Sequence, residues 1–228
     1  GGRIPVATNV DLTMMYVAHN AFIRDLHRLT EACVDNRAFT PATVAGWRGF
    51  VEQLHLHHRA EDASLWPRLR AQPLRWDEVA VLDAMELEHA GLEVLLERAE
   101  NAFADCRADA LDTALRALTE ALTGHLRHEE DEALPLVAAH LDARDWDDFV
   151  DEARRLQGGV GGAAKYLPWL LDGATDDTRA RVLRLLPPPV RMLYRRVWAP
   201  RYRRSSWWQA RPGGAAQPGV GGPRISMP

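Results

Sequence analysis

Two stretches of the chain set a histidine and a glutamate four residues apart, His57-x-x-x-Glu61 and His125-x-x-x-Glu129. Four residues is about one helical turn, so both groups of each pair project to the same side, close enough to hold one metal ion or bridge two. Imidazole nitrogen with carboxylate oxygen suits iron, manganese or zinc, and carboxylates from facing helices commonly hold two metals together in a bundle. Two further histidines, His19 and His89, interrupt apolar stripes. His19 to His89 spans 70 positions and His57 to His125 spans 68, so each half of the chain supplies a His followed by HxxxE. Pro67 follows Glu61 by six residues and Pro135 follows Glu129 by six. This repeat predicts two helical hairpins about a pseudo-twofold axis, with the metals between them.

Two positions stay open on periodicity alone. His58 also fits the stripe Leu54, His58, Glu61, Leu65 and has its own acid a turn later, Asp62, although the repeat favours His57. Glu130, next to Glu129, is an equal candidate for the bridging carboxylate. A single histidine on an apolar stripe is ordinarily a core or boundary residue with a hydrogen-bond partner, and His27, His55, His128 and His140 are read in that way. Four inward histidines, one per helix, accompanied by two inward glutamates, call for a ligand, because an unpaired buried carboxylate is strongly unfavourable.

The elements that must position these groups read as helices. Strand-type alternation is nearly absent, and Ala, Leu, Arg and Glu dominate the first 156 residues. A first helix carries Leu12, Met15, His19, Phe22, Leu26, Leu29 and Cys33 on one face, with Asn9 or Asp11 as its cap. A second opens at Thr40-Pro41 and runs to Pro67. A third starts near Asp77, and a fourth opens near Asp109 and stops before Pro135. An antiparallel four-helix bundle is the natural packing. A short fifth helix is predicted over 138–156, a flexible break at 157–163, and two short helices over 176–187 and 189–204. The organisation expected is an N-terminal arm (1–9), the bundle with its fifth helix (10–156), a Gly-rich linker (157–175), a basic helical extension (176–208) and a disordered tail (209–228).

The 228 residues, 46% of them hydrophobic, exclude a disordered chain, and two cysteines, Cys33 and Cys106, exclude a disulfide framework. Neither a membrane-length apolar run nor a signal-peptide pattern occurs, so a cytoplasmic protein is expected. The net charge of −4 conceals an asymmetry: residues 179–211 hold ten Arg and no acid, while residues 1–178 hold 17 bases against 32 acids. An acidic body suits cations and repels nucleic acid, which is therefore not an expected partner. The Arg-rich segment, interleaved with aromatics, either folds back on that body or meets an anionic membrane or protein partner.

The ordered constellation H … HxxxE … H … HxxxE resembles the hemerythrin-like, or HHE cation-binding, family over about residues 10–156. The stretch from Ala163 to Arg204 is similar to the C-terminal extension of actinobacterial members. The resemblance implies a hemerythrin-like four-helix bundle with two non-haem iron ions, cycling between Fe2+ and Fe3+ and bridged by oxo or hydroxo. His19, His57, His89 and His125 would be terminal ligands, with Glu61 and either Glu129 or Glu130 bridging. Oxygen-carrying members have two histidines a turn apart on the third helix, whereas this chain has Met85 before His89; the gap is left open or filled by Glu93 or Glu86. The function expected is binding of O2, peroxide or NO among Met15, Tyr16, Phe22, Leu54 and Met85, with peroxide disproportionation as the most concrete enzymatic form. Tyr16 is either a hydrogen-bond donor to that ligand or a boundary tyrosine. A non-catalytic oxygen or iron sensor, and an oxidase or oxygenase of an organic substrate, are the alternatives.

Overall fold

The computed structural model describes residues 10–204 and Trp208; the expected N-terminal arm and disordered tail lie outside the described residues. Four long helices form the bundle: α1 (Thr13–Val34), α2 (Pro41–Ala60), α4 (Trp76–Ala104) and α5 (Ala108–His128). Around the bundle α1 neighbours α2 and α5, and α4 packs closely on α5, while α2 and α4 touch least of the neighbouring pairs. The second helix begins as its sequence dictates: the Thr40 hydroxyl accepts from the Thr43 amide at 3.3 Å and Pro41 takes the first helical position, where its missing N–H is not needed.

Pro67 and Pro135 do not end their helices. Each hairpin arm passes through one π-helical turn, Glu61–Leu65 and Glu129–Ala133, and continues as α3 (Trp66–Arg70) and α6 (Leu134–His140). In these turns the Trp66 amide reaches back to the Glu61 carbonyl and the Leu134 amide to the Glu129 carbonyl, five residues away. The wider turn shifts the hydrogen-bond ladder just ahead of the proline, whose ring would otherwise crowd the preceding turn and which has no N–H to give. A third instance, Tyr194–Trp198, precedes Pro200.

The C-terminal region differs from expectation in one respect. The Gly-rich stretch expected as a flexible linker contains a helix, α8 (Gly159–Leu170), which follows α7 (Ala143–Leu156) after a left-handed Gly158 with φ 87°. Glycine is a poor helix former, but α8 buries Leu167, Trp169 and Leu170, and that burial outweighs propensity. A side chain at Gly162 would collide with the backbone carbonyl of Gln157, so this close approach requires glycine. Beyond it lie α9 (Asp176–Leu185), α10 (Pro188–Leu193), the third π turn and α11 (Ala199–Arg204). Their residues Val182, Leu183, Tyr194 and Trp198 join Phe22, Leu26 and Trp47 in one core cluster. The segment is anchored by Asp25 of α1, a fully buried carboxylate that accepts from Trp169 Nε1 at 2.7 Å and from Arg24 Nε at 2.9 Å. No helix among the described residues is long and apolar enough to cross a membrane.

Candidate metal centre

The inward faces of the four bundle helices converge on two adjacent groups of ligand atoms. His19 (α1), His57 (α2), Glu61 and Glu129 form one; His58 (α2), His89 (α4) and His125 (α5) form the other. Within each group the candidate ligand atoms lie no more than 4.8 Å apart. Glu61 touches both: one oxygen is 3.0 Å from His57 Nε2 and the other 3.6 Å from His89 Nε2. Glu129 stands 3.2 Å from His19 Nε2, while His89 Nε2 and His125 Nε2 face each other at 3.2 Å. Both glutamates are wholly buried.

The residue after each of these glutamates orients the histidine from the opposite half. Glu130 meets His19 Nδ1 at 2.8 Å, and Asp62 meets His89 Nδ1 at 2.8 Å. A π turn makes this arrangement available, because its extra residue lets two consecutive acids serve the same side of the helix. Glu88 serves His125 in the same way at 2.8 Å and also meets His128 at 2.7 Å. A carboxylate that accepts from Nδ1 fixes the imidazole tautomer and leaves the Nε2 lone pair directed inward.

Several sequence expectations meet a definite placement here. His57 and His58 each contribute an imidazole, one to each group. Glu130 lies outside both groups, on the outer nitrogen of His19, leaving Glu129 at the centre. Neither acid suggested for the missing third-helix histidine takes that place: Glu93 pairs with His55 at 3.0 Å and Glu86 with Arg70 at 3.0 Å, both at the surface. His58, from a different helix, supplies the third imidazole. Among the apolar expectations, Met15, Phe22, Leu54 and Met85 are buried, and Phe22 lies with its ring centroid 5.2 Å from that of His57. Tyr16 instead is 40% exposed. His55, His128 and His140 have carboxylate partners, as boundary histidines do. Glu88 escaped sequence reasoning, since its role is visible only once α4 and α5 are placed side by side.

The electrostatics are those of a site built for cations. Burial disfavours a charged His19, yet the negative charge of Glu129 and the contacts with Glu129 and Glu130 override it and raise the imidazole to about 9. Burial and the neighbouring imidazoles press His57 down to about 3 and hold His58 well below its ordinary value. Burial, Glu129 and Asp62 raise Glu61 well above the usual carboxyl range. Burial would raise Glu129 too, but His19 holds it down at about 2. Without metal, therefore, His19 holds a proton at neutral pH, and Glu61 is pushed toward its protonated form.

A metal fits these residues. Both oxygens of Glu61 and of Glu129, both nitrogens of His58, and Nε2 of His19 and His57 are buried without any hydrogen-bond partner. Unsatisfied buried groups cost about 1–3 kcal/mol each, more when charged, and so many at one point are consistent with metal coordination rather than with a packing defect. A four-helix bundle that gathers imidazoles and carboxylates in its core defines a bundle-type metal protein. The profile of the hemerythrin HHE cation binding domain matches residues 10–137, and the chain belongs to that family. It is thus a metal-binding protein of a cation-binding family. No curated protein and no solved structure matches it.

Proposed function

We propose that the chain holds two non-haem iron ions, one per ligand group, and binds O2, peroxide or NO there, with peroxide disproportionation as its enzymatic form. The observation that carries this reading is Glu61, buried and otherwise unpartnered, reaching a histidine of each group. A carboxylate so placed suits two ions one carboxylate apart, and an all-imidazole and carboxylate donor set with no thiolate suits iron. When bound, such a pair supplies Lewis acidity and reversible electron transfer. One group offers three imidazoles, His58, His89 and His125, and the other offers two imidazoles with two carboxylates, His19, His57, Glu61 and Glu129. A small exogenous ligand would meet the second group beside Phe22. Phe22 walls that side and excludes water. Glu130, Asp62 and Glu88 hold their histidines in one tautomer through any change in metal charge.

An anaerobic ferrous titration of the metal-stripped full chain tests the reading. A break at about two ions per chain, with new near-ultraviolet absorption on admission of air and then peroxide turnover, is expected from two ligand groups. Saturable binding without turnover would support the sensor reading; no saturable binding would refute the centre.

A further inference from the structure

A surface cavity among the described residues reaches the candidate metal centre. Between α2 and α4, the loosest seam of the bundle, lies a cavity of about 510 Å³ whose inner wall is His58 and His89. Its outer walls carry three carboxylates, Asp62, Glu86 and Glu93, against one guanidinium, Arg59. A second cavity of about 460 Å³ continues along the same seam, and His55 and Glu93, paired at 3.0 Å, line both. Acids at a surface are common; the distinguishing feature is His58. It is 96% buried, lines the cavity, and has no partner for either ring nitrogen.

We propose that this trench is the entry port for the metal: a divalent cation is drawn in by the carboxylate walls and meets His58 and His89 as its first buried ligands. The inference rests on the metal-centre reading above and adds a route to it. A cleft with an excess of one charge raises the local concentration of the opposite ion and its association rate, an effect that salt screens. Arg70 pairs with Glu86 from beside the trench, and three acids against these two guanidiniums still leave an acidic excess that favours cations over anions, while the imidazole floor favours metal ions over organic cations. Ala90, exposed on the α4 wall, is a small lining residue where added bulk would obstruct passage without disturbing the core.

Stopped-flow uptake of Co2+ by the metal-stripped full chain, followed through the visible bands that appear on ligation, tests this. Ala90→Trp is expected to slow uptake about tenfold or more, since entry then waits on local opening, with the final stoichiometry unchanged. Leu87→Trp, which adds the same bulk to an exposed position of α4 outside the trench, controls for the helix and is expected to match the wild type. Arg59→Gln, which removes the lining cation, is expected to speed uptake at low salt and to lose that advantage at high salt. Equal rates for Ala90→Trp and Leu87→Trp, or slower Co2+ uptake by Arg59→Gln, would overturn the port while leaving the centre intact. Failure of the wild-type chain to bind Co2+ would overturn both, and equilibrium titration separates the two cases.

Discussion

Loading the centre should expel protons, and the structure sets how many. His19 is raised to about 9, so at pH 7 about 99% of chains carry the extra proton there. Glu61, whose carboxyl is raised well above its ordinary range by burial, Glu129 and Asp62, adds to proton release in the same direction. A metal cannot share either group with its proton. At least about one proton per chain should therefore leave when both ions bind at pH 7. Displacing the one on His19 alone costs about 3 kcal/mol at that pH, equivalent to about a hundredfold weaker affinity than where His19 is fully deprotonated. Affinity should accordingly tighten as pH rises and level off above about pH 9 as far as His19 is concerned. The sign for the metal-free fold is opposite. A histidine raised above its unfolded value contributes stability that is fully present below about 6.5 and is lost as pH rises through about 9. Calorimetric titration with Zn2+ in two buffers of different ionisation enthalpy counts the protons directly. Full binding of two ions with less than about half a proton released at pH 7 would refute the protonation scheme.

Other perturbations bear on separate parts of the molecule. His58→Ala should weaken one of the two ions by at least about tenfold while His55→Ala leaves both nearly unchanged, read by equilibrium metal titration, because only His58 enters a ligand group. Asp25→Ala should lower stability by about 3–5 kcal/mol in denaturant unfolding, since it strands Arg24 and the Trp169 indole N–H in the core. Gly162→Ala should destabilise by about 1–3 kcal/mol by the same measurement, because the new Cβ would overlap the Gln157 carbonyl and α8 would have to shift.

The ligand pattern was legible in sequence because a helix converts spacing into direction. His19, His89, His125, Glu61 and Glu129 are buried and His57 is half-buried, on the faces that their stripes mark out. Thr40-Pro41 marked its helix start for an equally local reason. What escaped was non-local or non-standard. The π turns cannot be read from an α-helical period, and they explain why the prolines fail to stop the helices and why acids at two consecutive positions both serve histidines. Helix α8 defied its glycines because the burial of Trp169 against Phe22, with ring centroids 5.1 Å apart, is decided by residues 147 positions away. Periodicity leaves His57 and His58 open and the repeat favours His57, because a repeat carries no sign that the interior departs from symmetry at that point.

That departure from symmetry has a simple origin. Shifting by the 68 residues that relate His57 to His125 carries His58 onto Leu126, a buried leucine. One half of the repeat has a nitrogen donor where the other has a hydrocarbon, and this difference helps make the two ligand groups unlike. On the two-ion reading proposed above, any division of labour between the ions would depend in part on this one residue pair. Leu126→His would even the halves, and His58→Leu would even them the other way, giving a matched pair of proteins in which the value of inequivalence itself could be weighed.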